Sequence, residues 1–238
     1  MWFIKIFLLI FLLSTVTAIE FNCDFTGSYS CKVYNITIDS PDDVFVTKII
    51  GTHAAGKTNN DVNTIDTRGL IIRYFPKNLE SFFPNIENIF IESGLYELHQ
   101  EDLEAFPQLK NLYMSYNHIE YLEKDLFINN PNLQLIYFEV NNIKYVDRNV
   151  FDDLTQLTTL SLDRNNCVTG KASGSECDVN DLIQVIVNSC TINANPQVQL
   201  INELNEDIED LLLVNGNLTM NCAKNLFSQN SGSIIQTV

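Results

Sequence analysis

The middle of the chain repeats itself. Pro107 begins PQLKNLYMSYNHIEYLEKDLFINN and Pro131 begins PNLQLIYFEVNNIKYVDRNVFDDL, 24 residues later. A 23-residue unit precedes them from Pro84, PNIENIFIESGLYELHQEDLEAF, and a partial unit, TQLTTLSLDRNNC, follows from Thr155. Apolar columns run through all four: Ile86, Leu109, Leu133, Leu157; then Ile89, Leu112, Ile136, Leu160; then Ile91, Met114, Phe138, Leu162. Asn117, Asn141 and Asn165 form a polar column. Asn60 to Phe83 fits as a weaker unit through Val62, Ile65, Ile72, Phe75 and Leu79. A unit this short cannot bury its own apolar face, but a stack of units can. The period therefore predicts a solenoid.

The alternation in each unit is that of a strand with every second side chain inward. Stacked units give a parallel sheet. Asparagine at the end of the strand can donate and accept where the chain leaves the sheet. Leu103 with Phe106, Leu126 with Phe127, and Val150 with Phe151 are expected to close the convex side. Gly94 and Leu70 stand where asparagine is expected.

Over about residues 60 to 166 the pattern resembles the extracellular leucine-rich-repeat family, L-x-x-L-x-L-x-x-N-x-L. The resemblance implies an α/β solenoid, a right-handed coil with a concave parallel β-sheet and disulfide-bearing caps at both ends. The expected division is 1–18 signal peptide, 19–59 N-terminal cap, 60–166 repeats, 167–195 C-terminal cap with a helix, and 196–238 C-terminal helix and polar tail.

Lys5, the apolar run Ile6–Leu13 and the small residues Val16-Thr17-Ala18 have the layout of a cleaved secretory signal. The run is shorter than the roughly 20 residues of a membrane span. A secreted, extracellular product is expected. The net charge of -16 excludes nucleic acid and anionic lipid as attractive partners.

All 6 cysteines lie beyond the signal, two early (Cys23, Cys31) and four late (Cys167, Cys177, Cys190, Cys222). In a secreted chain they are expected as disulfides. Asp178–Cys190 reads as a cap helix, with Asp178 as N-cap and Val179, Leu182, Ile183 and Ile186 on one face. Such a helix would hold Cys177 and Cys190 about 20 Å apart, too far to bond. The family resemblance implies Cys167–Cys190 and Cys177–Cys222, with Cys23–Cys31 closing the N-terminal cap. Ile201, Leu204, Ile208 and Leu211 suggest a further helix packing back on the cap. Asn35 and Asn217 head glycosylation sequons.

Gly51-Thr-His-Ala-Ala-Gly56-Lys57-Thr58 matches the phosphate-binding loop pattern, but the following NNDVNTID has no helical face. A loop joining the cap to the first repeat is the expected reading. This stretch also resembles short secreted leucine-rich-repeat proteins of insects. His53, His99 and His118 have no metal-ligand spacing and are expected in solvated loops, as is the run Glu101, Asp102, Glu104. No cofactor, metal or enzymatic activity is expected.

Solenoids of this family bind on the concave face. Phe90, Tyr113 and Tyr137 share one outward column, Tyr116 the next, and Glu92, Glu139 and Asp163 line a neighbour beside Ser115. Lys110, Arg164 and Arg68 break the acidity. Two readings follow. The rings form a surface for an extracellular protein or glycan, in innate immunity, receptor signalling or adhesion. Alternatively they only cover the sheet of a structural solenoid with no selective ligand.

Overall fold

The computed structural model describes residues 19–27, 29–174 and 176–191. Its spine is a sheet of nine strands, which lie side by side in the order β13 (Lys171–Ser173), β12 (Thr159–Ser161), β10 (Leu135–Tyr137), β8 (Asn111–Tyr113), β7 (Asn88–Phe90), β5 (Thr64–Asp66), β2 (Ser30–Tyr34), β1 (Ile19–Thr26) and β4 (Val46–Ile50). The repeats contribute β5 (Thr64–Asp66), β7 (Asn88–Phe90), β8 (Asn111–Tyr113), β10 (Leu135–Tyr137) and β12 (Thr159–Ser161), all parallel and in register. Ile65, Ile89, Leu112, Ile136 and Leu160 face each other strand to strand, and each is essentially buried. The convex side is filled by Leu103, Phe106, Leu126, Phe127, Val150 and Phe151. Phe127 stacks on Phe151 with centroids 6.1 Å apart.

Each asparagine serves the coil before its own. The Asn117 side-chain nitrogen donates to Ile91 and Met114 carbonyls, and its oxygen accepts from the Leu95 N–H at 2.9 Å. Asn141 does the same for Met114 and Ile119, and Asn165 for Phe138 and Ile143. In the 23-residue unit the expected position, Gly94, does not take this part. Ser93 does: its hydroxyl donates to the Thr67 carbonyl at 2.8 Å, the bond that Asn117 makes to Ile91 one coil on. Three residues separate Ile91 from Leu95, where four separate Met114 from Ile119, so the shorter Ser93 sits where the chain is one residue tighter. Gly94 supplies the positive φ, 90°, that the tight turn needs.

At the N-terminal end β1 (Ile19–Thr26) pairs antiparallel with β2 (Ser30–Tyr34), and the Cys23–Cys31 disulfide crosslinks them. β2 runs parallel to β5, and β3 (Thr37–Ile38) to β6 (Ile71–Ile72), each 34 residues apart in sequence. The chain from Ser30 thus already follows the solenoid register. β4 (Val46–Ile50) forms the sheet edge beside β1. Gly51 follows at once, where a Cβ would lie 2.4 Å from the Cys23 carbonyl oxygen, so only glycine allows this approach. On the lateral face β9 (Tyr121–Leu122) pairs with β11 (Tyr145–Val146). One short helix, α1 (Gln100–Leu103), lies on the convex side.

At the other end the sheet closes on an unforeseen strand. β13 (Lys171–Ser173) lies antiparallel to β12 and covers its free edge. The helix α2 (Glu176–Cys190) packs behind it, burying Val179, Ile186 and Cys190, with Leu182 and Ile183 half-buried. It begins two residues before Asp178, which therefore lies in the first turn and is not the N-cap. Cys190 is bonded to Cys167. The proposed Cys177–Cys222 pair, the sequon at Asn217 and the apolar repeat from Ile201 lie outside the described side chains. Unreduced peptide mapping is expected to return Cys23–Cys31 and Cys167–Cys190. Replacing both Cys167 and Cys190 by alanine is expected to cost about 3 kcal/mol in urea unfolding, the chain-entropy value for a loop of this size.

Candidate functional site

The sheet register builds the concave face in columns. Asp66, Phe90, Tyr113, Tyr137 and Ser161 are direct neighbours along one of them. Strand spacing of about 4.8 Å brings successive rings into contact. Phe90 and Tyr113 stack with centroids 4.0 Å apart and planes 7° from parallel. Tyr113 and Tyr137 follow at 5.5 Å and 35°. All three rings are half-buried.

A cation closes each end of this stack. The Arg68 guanidinium lies 4.5 Å from the Phe90 ring centroid, and the Lys171 ammonium 4.7 Å from that of Tyr137. Lys171 can reach because its register partner Ser161 is small. A carboxylate holds each cation: Asp66 takes Arg68 through two side-chain bonds of 2.9 and 2.7 Å, and Glu139 accepts from Lys171 at 3.3 Å and from Ser161 at 2.8 Å. Burial pushes the Asp66 carboxyl up, but the Arg68 side chain, backbone N–H and charge outweigh it and hold it below its usual range. Burial pushes the Tyr113 phenol up, and Tyr137 adds to this, so the hydroxyl keeps its proton and can donate.

The next column over is polar. The Asn111 amide donates to Asn88 at 2.6 Å, and Asn88 to the Thr64 hydroxyl at 3.1 Å. Sequence reasoning missed this ladder, although Asn88 and Asn111 recur at the repeat spacing. It also missed the role of Arg68, Asp66 and Lys171.

Of the expected site residues, Phe90, Tyr113 and Tyr137 come together. Glu92, Glu139 and Asp163 lie just past their strands, with Asp163 accepting from the Thr169 hydroxyl. Tyr116 does not join the ladder. It sits beyond β8 with φ 57°, as do Val140 (φ 54°) and Arg164 (φ 57°) one and two coils on. This left-handed residue ends each strand before the asparagine turn, leaving the Tyr116 ring exposed. Lys110 is engaged by Glu87 at 2.7 Å.

Two further expectations are corrected. His53 is half-buried and engaged, not freely solvated: it stacks on Phe25 at 3.9 Å, and its ring nitrogens meet Tyr29 and Asn59 at 2.8 Å each. Asp102 is buried, pairs with Lys77 and accepts from the His99 N–H, because it caps α1. His99 and His118 are exposed.

The Gly51–Thr58 loop leads into a three-residue turn, Asn59–Asp61. Asp61 takes what a phosphate would need: Lys57 donates to it at 2.9 Å, and the Thr58 N–H at 2.9 Å. Lys57→Ala is therefore expected to leave the melting temperature within error, with or without magnesium and ATP. A nucleotide-dependent rise in the wild type alone would overturn this. Among the described residues no group of three or more histidine, cysteine or acidic side chains could hold a metal, and no helix is long and apolar enough to cross a membrane.

Residues 107–166 match a family model described as leucine rich repeat. No curated protein matches the chain. Similar solved structures include the mosquito APL1 leucine-rich repeat domain, 25% identical over 62% of this chain and 36% of that one, with TM-score 0.49. A TLR13–ssRNA13 complex is 14% identical over 64% of this chain and 29% of that one, with TM-score 0.34. The chain thus spans about a third of the length of each. The in-register strands and the asparagine ladder form a leucine-rich-repeat solenoid, and residues 107–166 are the part of it that the family model matches.

Proposed function

We propose that the chain is a secreted, non-enzymatic binding module that recognises an extracellular protein through its concave face, with Tyr113 and Tyr137 as anchors. Leucine-rich-repeat domains generally bind proteins. The observation that carries the reading is the clamped ring stack. Its faces are closed by neighbouring rings and cations, so edges and phenol hydroxyls are what it offers. Rigid half-buried aromatics of this kind are the commonest anchors of protein interfaces, because little side-chain freedom is left to lose on binding. Phe90, Glu92, Glu139 and Asp163 complete the surface, and Tyr116 contributes from its edge. The acidic flank favours a basic partner.

The signal-like first eighteen residues and the disulfides support an extracellular setting. Protein recovered from culture medium is expected to begin at about Ile19; an intact Met1 on that product would contradict this. Asn35 lies exposed in the turn after β2, a position a glycan could occupy.

The test is capture from extracellular fluid on immobilised wild type and on a Tyr113→Ser, Tyr137→Ser variant. A partner held saturably by the wild type alone, and released by free wild-type chain, is expected. Equal retention by both would favour a structural solenoid without a selective ligand.

A further inference from the structure

Beside the ring stack runs a column of Arg68, Glu92, Ser115, Glu139 and Asp163, each two residues beyond a ladder position. Four of the five are long or charged. Ser115 is neither. Leu112 and Met114 point inward and are fully buried, so alternation turns Tyr113 and Ser115 to the concave side. Ser115 is only 4% exposed, yet its hydroxyl has no hydrogen-bond partner among the described residues. A short side chain between two long ones leaves a notch with a polar floor.

The walls of the notch carry charge. Glu92 is half-buried and has no ion pair or hydrogen bond among the described residues. Its nearest cation, Arg68, is already committed to Asp66 through two bonds. Burial raises the Glu92 carboxyl, Arg68 offsets part of this, and Asp66 and Glu139 raise it further. On the other side one Glu139 oxygen takes Ser161 and Lys171, leaving its second oxygen without a bond. The two glutamates lie two coils apart, about 10 Å at the backbone; Glu139 is held toward Ser161 and Lys171, whereas Glu92 has no bond among the described residues to hold it back from the notch. The Tyr113 ring stands in the adjoining column.

We propose that this notch is a socket for an arginine side chain of the partner. Guanidinium is planar and forked, so beside the exposed edge of the Tyr113 ring it can donate to Glu92 from one side and to the second oxygen of Glu139 from the other. The Ser115 hydroxyl accepts a remaining N–H. An ammonium has no such fork, so lysine binds more weakly. This inference rests on the concave-face reading and names the chemistry of its partner.

The probe is Nα-acetyl-arginine methylamide, titrated into the full folded chain and followed by NMR, with the citrulline analogue as the neutral isostere and the lysine analogue as the point charge. Saturable shifts at Glu92, Ser115 and Glu139 are expected for arginine, smaller ones for lysine and none for citrulline. Glu92→Gln is expected to weaken the arginine probe about tenfold, the loss of one charge-assisted contact. Ser115→Leu, which fills the notch, is expected to abolish it. Equal shifts with citrulline, shifts located elsewhere, or an unchanged affinity in Glu92→Gln would overturn the proposal. So would calcium moving the same signals more tightly than arginine. Against a captured partner the two ideas separate. If Glu92→Gln binds like wild type while the double-tyrosine variant does not, the socket falls and the concave face stands. If both bind like wild type, both fall.

Discussion

Asn117→Ala will cost more stability than any other single change in the polar column, about 3–5 kcal/mol in urea or thermal unfolding. Asn117 is 3% exposed. Its side-chain oxygen accepts three backbone N–H groups, from Ser93 at 3.1 Å and from Gly94 and Leu95 at 2.9 Å each. Its nitrogen donates to two carbonyls, of Ile91 at 2.6 Å and Met114 at 2.9 Å. Alanine strands the buried Leu95 N–H and Ile91 carbonyl and takes the same partner from the half-buried Ser93 and Gly94 N–H groups, while the Met114 carbonyl keeps Asn141; a stranded buried group costs about 1–3 kcal/mol. Some relaxation holds the total below the simple sum. Asn141 satisfies one N–H, of Ile119, and the Met114 and Phe138 carbonyls, so Asn141→Ala is expected to cost about 1–3 kcal/mol. Asn142, its exposed neighbour, should change stability by less than about 0.5 kcal/mol. Equal midpoints for the three variants would mean that the asparagine column does not hold the coils.

The second large effect concerns binding. Replacing Tyr113 and Tyr137 by serine removes the upper two rings of the stack. Anchors of this type cost about 2 kcal/mol or more each on truncation, so affinity for the captured partner should fall about a thousandfold. The fold should survive, because Leu112, Met114, Ile136 and Phe138 on the inward face are untouched and fully buried. Tyr116→Ser should have a much smaller effect, since that ring stands off the strand. The control is Glu101 and Glu104 to serine on the convex turn. Asp102 must be spared, because its loss would unpair Lys77 and uncap α1. Affinity lost in the convex variant and kept in the tyrosine variant would remove the concave face from consideration.

Much of this is legible in the repeat spacing alone. Columns recur at the repeat spacing, so Phe90, Tyr113 and Tyr137 had to fall side by side once the strands were parallel and in register. What spacing cannot carry is a contact that leaves the period. Lys171 reaches Tyr137 only because the chain reverses after the last repeat to form β13. Arg68 bends back over Phe90 because Asp66 fixes its guanidinium. Ser93 replaces the asparagine because the missing residue of the short unit falls between Ile91 and Leu95, and alignment alone could place it on either side of Gly94. Asp102 looked like one of three solvated acids, and only its place as the cap of α1 buries it. His53 differs similarly: a loop histidine is ordinarily wet, but here Phe25, Tyr29 and Asn59 hold the ring and cover part of it.

The backward reach of the asparagines also sets a timetable for a chain made one residue at a time. Leu95 emerges from the ribosome 22 residues before Asn117, Ile119 the same distance before Asn141, and Ile143 before Asn165. Every coil is therefore born incomplete and stays so until its successor arrives. Growth alone cannot end this debt, since each new repeat would inherit it. The final repeat escapes by other means: the Leu162 N–H is met by the Gly170 carbonyl, and Cys167 is tied to a helix completed only at Cys190. A nascent chain halted before Gly170 would carry four finished coils and one that nothing yet closes.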